Sequence, residues 1–249
     1  MSDLTDRIAL VTGASRGIGH AIAARLAEKG ARVIVHYGTH RESAESLVEA
    51  IRNRGGKADA IGCDLSAPDG AHKLAAAVRN LGIHQLHILV PNAGIAELAP
   101  IDHQTAESFD RQFAVNVRAP YFLVQQLLPL LVPGSSVVLV SSLTARAAFD
   151  YTSVYSATKG AIEVLARNLA KELGPRGIRV NAIAPGATET ELAHALLGTE
   201  EGKERIKSLQ ALKRVGQPDD IADVVLFLAS DQSRWIDGRS IEVSGGSSL

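Results

Sequence analysis

Three residues whose side chains can hold or exchange a proton follow one β-branched run of this sequence. Ser142 comes just after the run SVVLV, Tyr155 lies thirteen residues beyond Ser142, and Lys159 lies four beyond Tyr155. Residues four apart share a helix face, so Lys159 is expected beside the phenol of Tyr155. A nearby cation favours the phenolate and lowers the pKa of a tyrosine from its usual value of about 10. The set predicts acid-base chemistry by Tyr155, with Ser142 donating a hydrogen bond to a substrate oxygen.

Taken alone, a Tyr-x-x-x-Lys pair is common on solvated helix faces, so a second signal is needed. The stretch TGASRGIG at 12–19 lies between a strand-like run and a helical pattern. Its glycines allow a tight turn, close approach of a pyrophosphate and close packing of helix on strand, while the helix N-terminus favours phosphates. An ordinary strand-to-helix turn is the alternative. The predicted dinucleotide contacts here are Gly13, Ser15, Arg16, Gly17, Ile18 and Gly19.

Two further strand ends carry residues suited to the same ligand. Asp64 and Leu65 follow the third strand, where the Asp64 carboxylate could accept a hydrogen bond from an adenine amino group. Asn92, Ala93 and Gly94 follow the fourth, where glycine lets the backbone approach a ribose. Each could equally be a cap or a plain turn. Three successive strand ends of this kind favour one long ligand laid across the sheet edge.

The elements that position these residues alternate along the chain. Strands are predicted at 8–11, 32–35, 58–63, 86–90, 136–140, 179–184 and 240–243, and helices at 17–29, 42–54, 68–80, 104–131, 154–173 and 218–229. This order predicts an α/β fold, a doubly wound, seven-stranded parallel sheet with helices on both faces. Residues 1–249 are expected to form one domain, in which 187–217 is either a substrate lid or an irregular insertion.

Composition argues against several other classes of protein. The 249 residues carry a net charge of −1, and Lys and Arg are interleaved with acids, so no nucleic-acid partner is expected. The eight histidines include His84 and His87, but these lack carboxylate or cysteine partners at ligand spacing, so no metal is expected. No segment is long and apolar enough for a membrane span. The single cysteine, Cys63, and an acidic start unlike a signal peptide predict a cytoplasmic protein.

With these motifs in this order, the whole chain resembles the short-chain dehydrogenase/reductase family in its compact form. The resemblance implies a Rossmann-like fold and a catalytic set of Asn116, Ser142, Tyr155 and Lys159. It also implies that Lys159 binds the nicotinamide ribose and that Asn116 holds a water linking Lys159 to solvent.

The resemblance extends to the end of the chain, with two departures. Pro185 and Gly186 follow the sixth strand, and Thr188 and Thr190 are implied to contact the nicotinamide carboxamide; the chain closes on IEVSGG. Pro91 stands where the family usually has asparagine, and Ser244 where it usually has aspartate. Neither position transfers a proton, so activity is expected to persist.

The second strand predicts which nicotinamide cofactor is used. Enzymes that use NAD generally end this strand with an acid for the ribose hydroxyl, whereas Tyr37 stands here. Guanidinium and hydroxyl donors could surround a 2′-phosphate instead, which predicts NADP(H) over NAD(H). The residues are Tyr37, Gly38, Thr39 and Arg41, with Arg16 from the glycine turn. Alternatively, Arg16 and Arg41 are only solvated surface charges.

The predicted activity is NADP(H)-dependent interconversion of a ketone or other small carbonyl and an alcohol. A 3-oxoacyl-carrier-protein reductase is the alternative: Arg176 is suitably placed for an acidic carrier, but 127–136 lacks basic residues. A remote alternative is a non-catalytic redox sensor. Loops at 94–103, 143–154 and 187–212 should line the pocket, with Phe149, Tyr151 and Leu192 as apolar lining. Surplus apolar residues in two helices predict contact with another subunit, and the family resemblance points to a homotetramer, or at least a dimer.

Overall fold

The structure is a computed structural model that describes residues 3–247. Its strands are β1 Ile8–Val11, β2 Arg32–Tyr37, β3 Lys57–Gly62, β4 Leu86–Val90, β5 Leu131–Val140, β6 Arg179–Pro185 and β7 Ser240–Val243. Its α-helices are α1 Gly17–Glu28, α2 Arg41–Asn53, α3 Gly70–Asn80, α4 Ala106–Phe113, α5 Ala119–Leu127, α6 Ser153–Leu173, α7 His194–Leu197, α8 Glu200–Leu209 and α9 Pro218–Ala229.

The strands form one sheet in the order β3-β2-β1-β4-β5-β6-β7, and every neighbouring pair is parallel. The predicted seven-stranded, doubly wound sheet is therefore confirmed. The order reverses between β1 and β4, and the carboxyl ends of such strands open a crevice there for ligands.

Both faces of the sheet are buried, which explains the nearly continuous apolar strands. Within β1, Ala9 and Val11 pack on the side of α1, α2 and α9, whereas Leu10 packs on the side of α3, α5 and α6. Side chains alternate between faces along a strand, so each residue of β1 is fixed to one core or the other.

The predicted helix at 104–131 is wrong in two respects. A π turn at Ala114–Arg118 separates α4 from α5, and β5 begins at Leu131. The N–H of Ala119 bonds the carbonyl of Ala114, five residues back. Pro120 has no N–H to offer the carbonyl of Asn116, so the ordinary four-residue ladder cannot continue there.

The segment at 187–217 is more regular than its charge-rich sequence indicated. It contains α7 and α8, and the Thr199 side chain caps α8 by accepting from the N–H of Gly202. Beneath the helices, a small apolar cluster is formed by Leu197, Ile206 and Val215. The segment therefore has a small core of its own. Nothing in the sequence indicated this core, because its apolar residues are single and are separated by charged ones.

Candidate active site

Four predicted catalytic residues come from three elements that meet at the carboxyl edge of the sheet. Ser142 follows β5, Tyr155 and Lys159 lie near the start of α6, and Asn116 lies in the π turn. A Cβ placed on Gly94, after β4, would lie 3.3 Å from Asn116 Oδ1 and 3.4 Å from Lys159 Nζ. Gly94 thus leaves the space in which Asn116 and Lys159 approach each other.

The Ser142 hydroxyl is oriented by a neighbour that the sequence did not single out. Thr144 donates to Ser142 Oγ twice, from its backbone N at 3.2 Å and from its hydroxyl at 3.1 Å. Because Ser142 Oγ accepts both bonds, its own proton is free to be donated elsewhere. That is the arrangement required of a donor to a substrate oxygen.

Lys159 is buried and its ammonium is fixed. Its Nζ donates to the carbonyl of Val140 at 2.8 Å and lies 5.5 Å from the ring centroid of Tyr155. Burial lowers the pKa of Lys159 to about 8. A cation at this position stabilises a phenolate on the neighbouring ring.

The sequence predicted a lowered pKa for Tyr155, and for the protein without bound ligands this prediction is wrong. Burial raises the pKa of Tyr155, and the nearby Ser142 hydroxyl lowers it by less. Removing water from around the phenolate therefore has a larger effect than the neighbouring donors. Tyr155 accordingly holds its proton at neutral pH, as a general acid must before it acts.

Asn116 is held rigidly through its side chain. Its Oδ1 accepts from the N–H of Ile95 at 2.9 Å, and its Nδ2 donates to the carbonyl of Ile95 at 2.8 Å and to the Thr158 hydroxyl at 3.1 Å. Both Nδ2 protons are thus engaged. Asn116 ties the loop after β4 to α6, beside Lys159, a role that was not read from the residues themselves.

The glycine turn has the shape that the spacing predicted. Gly13 and Gly17 have φ values of 61° and 56°, in the left-handed region that favours glycine. A Cβ on Gly19 would lie 2.3 Å from the carbonyl oxygen of Gly13, so Gly19 packs the helix against the turn itself. Arg16, the N-cap residue of α1, makes no side-chain hydrogen bond to the first turn, so its side chain leaves the N–H groups of that turn available to a ligand.

Asn92 and Thr12 pin this turn to the end of β4. Asn92 Nδ2 donates to the carbonyls of Thr12 at 2.8 Å and Gly13 at 3.2 Å. The Thr12 hydroxyl accepts from the N–H groups of Asn92 at 3.0 Å and Ala93 at 2.9 Å. The Asn92 side chain therefore shapes the binding turn through the protein backbone.

His36, which sequence reasoning missed, braces the same turn from β2. Its Nδ1 accepts from the N–H of Gly13 at 3.1 Å, and its Nε2 lies 3.0 Å from the carbonyl of Cys63. The ring must be neutral, with the proton on Nε2, to make both bonds. Burial lowers its pKa to about 4. An apolar strand offers little sign that one interior histidine has this role.

Predicted contacts for a 2′-phosphate lie at the open end of β2. The Tyr37 ring lies across Gly62, where a Cβ would be 2.8 Å from ring atoms. Arg41 is the first residue of α2, four residues after Tyr37 ends β2, and it pairs with Glu45 at 2.7 Å. Gly38 and Thr39 are exposed beside them. This end therefore carries donors and no carboxylate of β2.

Asp64 and Leu65, predicted at the adenine end, have separate surroundings. Asp64 Oδ1 accepts from the N–H of Ser66 at 2.8 Å and from its hydroxyl at 2.7 Å. This is the turn-capping role that the sequence left open, and it leaves Oδ2 without a described hydrogen bond. Leu65 is buried in the core with α3.

The segment after β6 closes over the glycine turn. A Cβ on Gly17 would lie 3.2 Å from Thr190 Cγ2, and Arg16 forms an ion pair with Glu191. Thr188 is buried, and its hydroxyl donates to the carbonyl of Gly186 at 3.0 Å.

The end of β6 is equally confined. The N–H of Gly186 bonds the carbonyl of Val243, the residue that lies opposite Pro185 in the β6–β7 pairing. A Cβ on Gly186 would lie 2.8 Å from Ser244 Cα. Ser244, which stands in place of the expected aspartate, therefore packs against the backbone of Gly186. Its side-chain hydrogen bonds are to Glu242 and Ser247 and do not involve Tyr155.

An open cleft of about 690 Å³ adjoins the catalytic residues. Its lining includes Thr144, which bonds Ser142, and Ser156, which follows Tyr155. Phe149 and Tyr151 line it as predicted, whereas Leu192 lines neither this cleft nor a smaller one of about 420 Å³ under the lid segment.

The expected position of Arg176 is wrong. Arg176 lies before β6 and donates to the carbonyl of Leu128 at 3.0 Å. The amino ends of parallel strands share the edge opposite the catalytic residues, so neither Arg176 nor 127–136 lies at the mouth of the cleft.

The residues fit a dinucleotide, because Gly13 and Gly19 leave no room for a Cβ and Gly17 has a left-handed φ. The N-terminus of α1 follows this turn directly, at the carboxyl end of β1, and helix N-termini favour phosphates. Among residues 3–247, no three His, Cys, Asp or Glu side chains gather as they would around a metal ion. Over the same part of the chain, every helix is too short or too polar to cross a bilayer.

Comparison with known proteins gives consistent results. A family model described as enoyl-(acyl carrier protein) reductase matches residues 13–248. An uncharacterized oxidoreductase of Methylorubrum extorquens is 44% identical over 248 residues, which cover 99% of both chains. Versicolorin reductase 1 of Aspergillus parasiticus is 41% identical over 261 residues, again with 99% of both chains covered. The crystal structure of the angucycline C-6 ketoreductase LanV with bound NADP has a TM-score of 0.92 and 40% identity, covering 98% of this chain and 96% of that one.

Proposed function

The chain belongs to the short-chain dehydrogenase/reductase family, and on that premise we propose that it is an NADPH-dependent ketone reductase with Tyr155 as proton donor. The observation that carries the proposal is the convergence of Ser142, Tyr155 and Lys159 on the sheet edge that also holds the glycine turn. Named relatives that are reductases, and a similar ketoreductase with bound NADP, support the same reaction.

The reduced nicotinamide, when bound, supplies hydride for the carbonyl carbon. Tyr155 gives its phenolic proton to the carbonyl oxygen as negative charge develops there. Ser142 donates a hydrogen bond to the same oxygen. Its proton is available because its Oγ accepts both bonds from Thr144 and donates neither. Lys159 is cationic below its pKa of about 8 and stabilises the phenolate that remains. Asn116 holds the loop after β4 in place. By analogy with the family, it also holds a water that links Lys159 to solvent and so returns a proton to the site.

Tyr155→Phe tests the proposal. Loss of the phenolic proton should lower kcat by about 10²–10⁴-fold, while NADPH binding is retained. Turnover is followed by NADPH absorbance with a panel of ketones, and binding by NADPH fluorescence. Tyr121→Phe, which removes the hydroxyl of a partly exposed tyrosine on α5, is the matched control. Undiminished turnover by Tyr155→Phe would contradict the assignment.

The preference for NADPH rests on the donors at the end of β2. Arg41 is exposed beside Tyr37, and its pairing with Glu45 is weak enough in water to be exchanged for a phosphate. Arg41→Ala should raise KM for NADPH about tenfold with little change for NADH. Arg54→Ala removes another exposed arginine at the end of α2 and should change neither value. Equal efficiency of the wild type with both cofactors would overturn the preference.

Residues 187–217 are proposed to act as a lid over the substrate site, next to the cofactor turn. Thr190 and Glu191 already contact the glycine turn, and α7 and α8 are joined by an exposed link around Gly198. Proteolytic cleavage at this link should slow when NADPH is present. An unchanged cleavage rate would argue for a fixed surface insertion.

A homotetramer is proposed from the outer faces of three helices. Phe109, Tyr121 and Val164, on α4, α5 and α6, expose 44%, 40% and 48% of their surface. Exposed large apolar residues on neighbouring helices favour burial against another subunit. The mass in solution measures the assembly, and a monomer at micromolar concentration would refute it.

A further inference from the structure

We propose that the 690 Å³ cleft selects a planar, uncharged aryl ketone and that Tyr151 stacks on its ring. The inference rests on the proposed ketone reduction, because it assigns the substrate class of that same site. Four observations carry it: the chemistry of the walls, the balance of charge, the backbone at Tyr151, and the connection to Tyr155.

The walls of the cleft are mainly apolar and come from two loops. One loop contributes Ala99, Pro100 and Ile101, and the other contributes alanines together with Phe149 and Tyr151. Ile101 is 88% exposed and Tyr151 is 60% exposed. Large apolar side chains held at the mouth of a cleft favour an apolar ligand that removes them from water.

The one charged residue in this lining is already neutralised. Arg146 pairs with Glu163 at 3.1 Å, lies 3.8 Å from Glu242, and donates to the carbonyl of Ser240 at 2.8 Å. Glu163 is itself largely buried and also accepts from the Ser240 hydroxyl at 2.8 Å. A substrate carboxylate or phosphate would have to compete with both carboxylates for Arg146, and the rest of the lining offers it no cation.

The backbone at Tyr151 favours a role for its side chain. Tyr151 has φ of 64°, a conformation that a bulky residue adopts only where surrounding contacts impose it. The contact here is the N–H of Ala99, which donates to the carbonyl of Tyr151 at 3.2 Å and joins the two loops. Glycine would satisfy this backbone without strain, so an aromatic residue here points to a use for the ring.

The same loop is tied to the reacting residue. The Thr152 hydroxyl donates to the carbonyl of Phe149 at 2.8 Å, and the Ser156 hydroxyl donates to Thr152 Oγ1 at 3.0 Å. Ser156 follows Tyr155 on α6, so the aromatic wall and the proton donor are held by one short network. The wall that carries Tyr151 is thereby fixed to the first turn of α6, the helix that carries Tyr155.

The test uses two bicyclic ketones of equal carbon number, planar aromatic 1-tetralone and puckered trans-1-decalone. The quantity measured is the ratio of their kcat/KM values with NADPH, compared between variants so that intrinsic reactivity cancels. Tyr151→Gly should lower the tetralone-to-decalone ratio about tenfold, the loss expected of one aromatic stacking contact. Tyr151→Phe should keep the ratio within about twofold, because the ring remains. Trp235→Ala removes a ring that is 97% exposed elsewhere and should leave the ratio unchanged.

Urea unfolding separates stacking from a structural role. Tyr151→Gly relieves a left-handed tyrosine, so its unfolding midpoint should be equal to or above that of the wild type while the ratio falls. A lower midpoint accompanied by equal losses for both ketones would overturn the inference. A tetralone bearing a ring carboxylate should have a kcat/KM at least about tenfold below that of 1-tetralone; parity would overturn the inference as well.

The remaining outcomes distinguish this inference from the proposed function. If Tyr151→Gly leaves the ratio unchanged while both ketones are reduced, the inference fails and ketone reduction stands. If only aliphatic or charged carbonyl compounds are reduced, the inference again fails and the proposed carbonyl reduction stands. If the wild type binds NADPH but reduces no carbonyl in a broad panel, the proposed function fails, and the inference fails with it.

Discussion

Replacing His36 by asparagine should remove a specific part of the acid sensitivity of folding. His36 is buried between the glycine turn and β3, and its pKa falls from 6.5 to about 4. The asparagine side chain would keep an acceptor near the N–H of Gly13 but could not titrate. The two proteins should therefore differ in how their free energy of unfolding depends on pH.

The sign follows from which state binds more protons. Between pH 6.5 and about 4 the unfolded chain protonates this histidine and the folded chain does not. The stabilising contribution of neutral His36 is therefore present above pH 6.5 and is lost as the pH falls toward 4. At about 1.4 kcal/mol per pKa unit, the full loss is about 3 kcal/mol, of which about 2 kcal/mol is lost by pH ~5.

The assay is urea unfolding at about pH 7.5 and about pH 5, followed by circular dichroism at fixed protein concentration. His36→Asn should be less stable than the wild type at the higher pH, because the bond to Cys63 is lost, and the difference should shrink by about 2 kcal/mol at the lower pH. His84→Asn, at an exposed histidine, is the control. An identical difference at both pH values would refute the account of His36 as a buried neutral brace.

Two substitutions test the construction of the turn itself. Gly19→Ala should abolish tight NADPH binding and lower the unfolding midpoint, because its Cβ would lie 2.3 Å from the Gly13 carbonyl oxygen. Gly160→Ala is the control: a Cβ there meets no atom, so the change should be neutral or stabilise the protein by up to about 1 kcal/mol. Thr12→Val should cost about 2–4 kcal/mol of unfolding free energy by leaving two N–H groups without their acceptor. Thr12→Ser keeps the hydroxyl and should lose less than half as much; equal losses would show that the methyl group matters more.

The sheet, the glycine turn and the Ser142, Tyr155 and Lys159 set could be predicted because each depends on local pattern. Strand ends in a parallel sheet share an edge, so correct strand order along the sequence brings their terminal residues together. Asn116 was singled out only by the family resemblance, which implied a bound water. Its observed bonds to Ile95 join residues 21 apart in the sequence, and no local pattern indicates them.

Other features depended on burial and on distant partners. The pKa of Tyr155 is raised because the phenol loses water, an effect that its spacing from Lys159 does not reveal. His36 and Thr144 act through single hydrogen bonds to residues that no periodicity identifies. Arg176 precedes the strand predicted at 179–184, so its place at the amino edge of the sheet follows from the sequence, and the expectation that it lay near the mouth of the cleft was wrong.

The pairing of β1 with β4 also constrains how the protein forms. Ala9 lies opposite Ile88, and Thr12 bonds Asn92, so the centre of the sheet joins segments about eighty residues apart. Contacts of such long sequence separation slow folding, because closing so long a loop costs chain entropy before the contact can compensate for it. The crevice is therefore expected to form late in folding. A dinucleotide that binds only the complete crevice would slow unfolding without accelerating refolding.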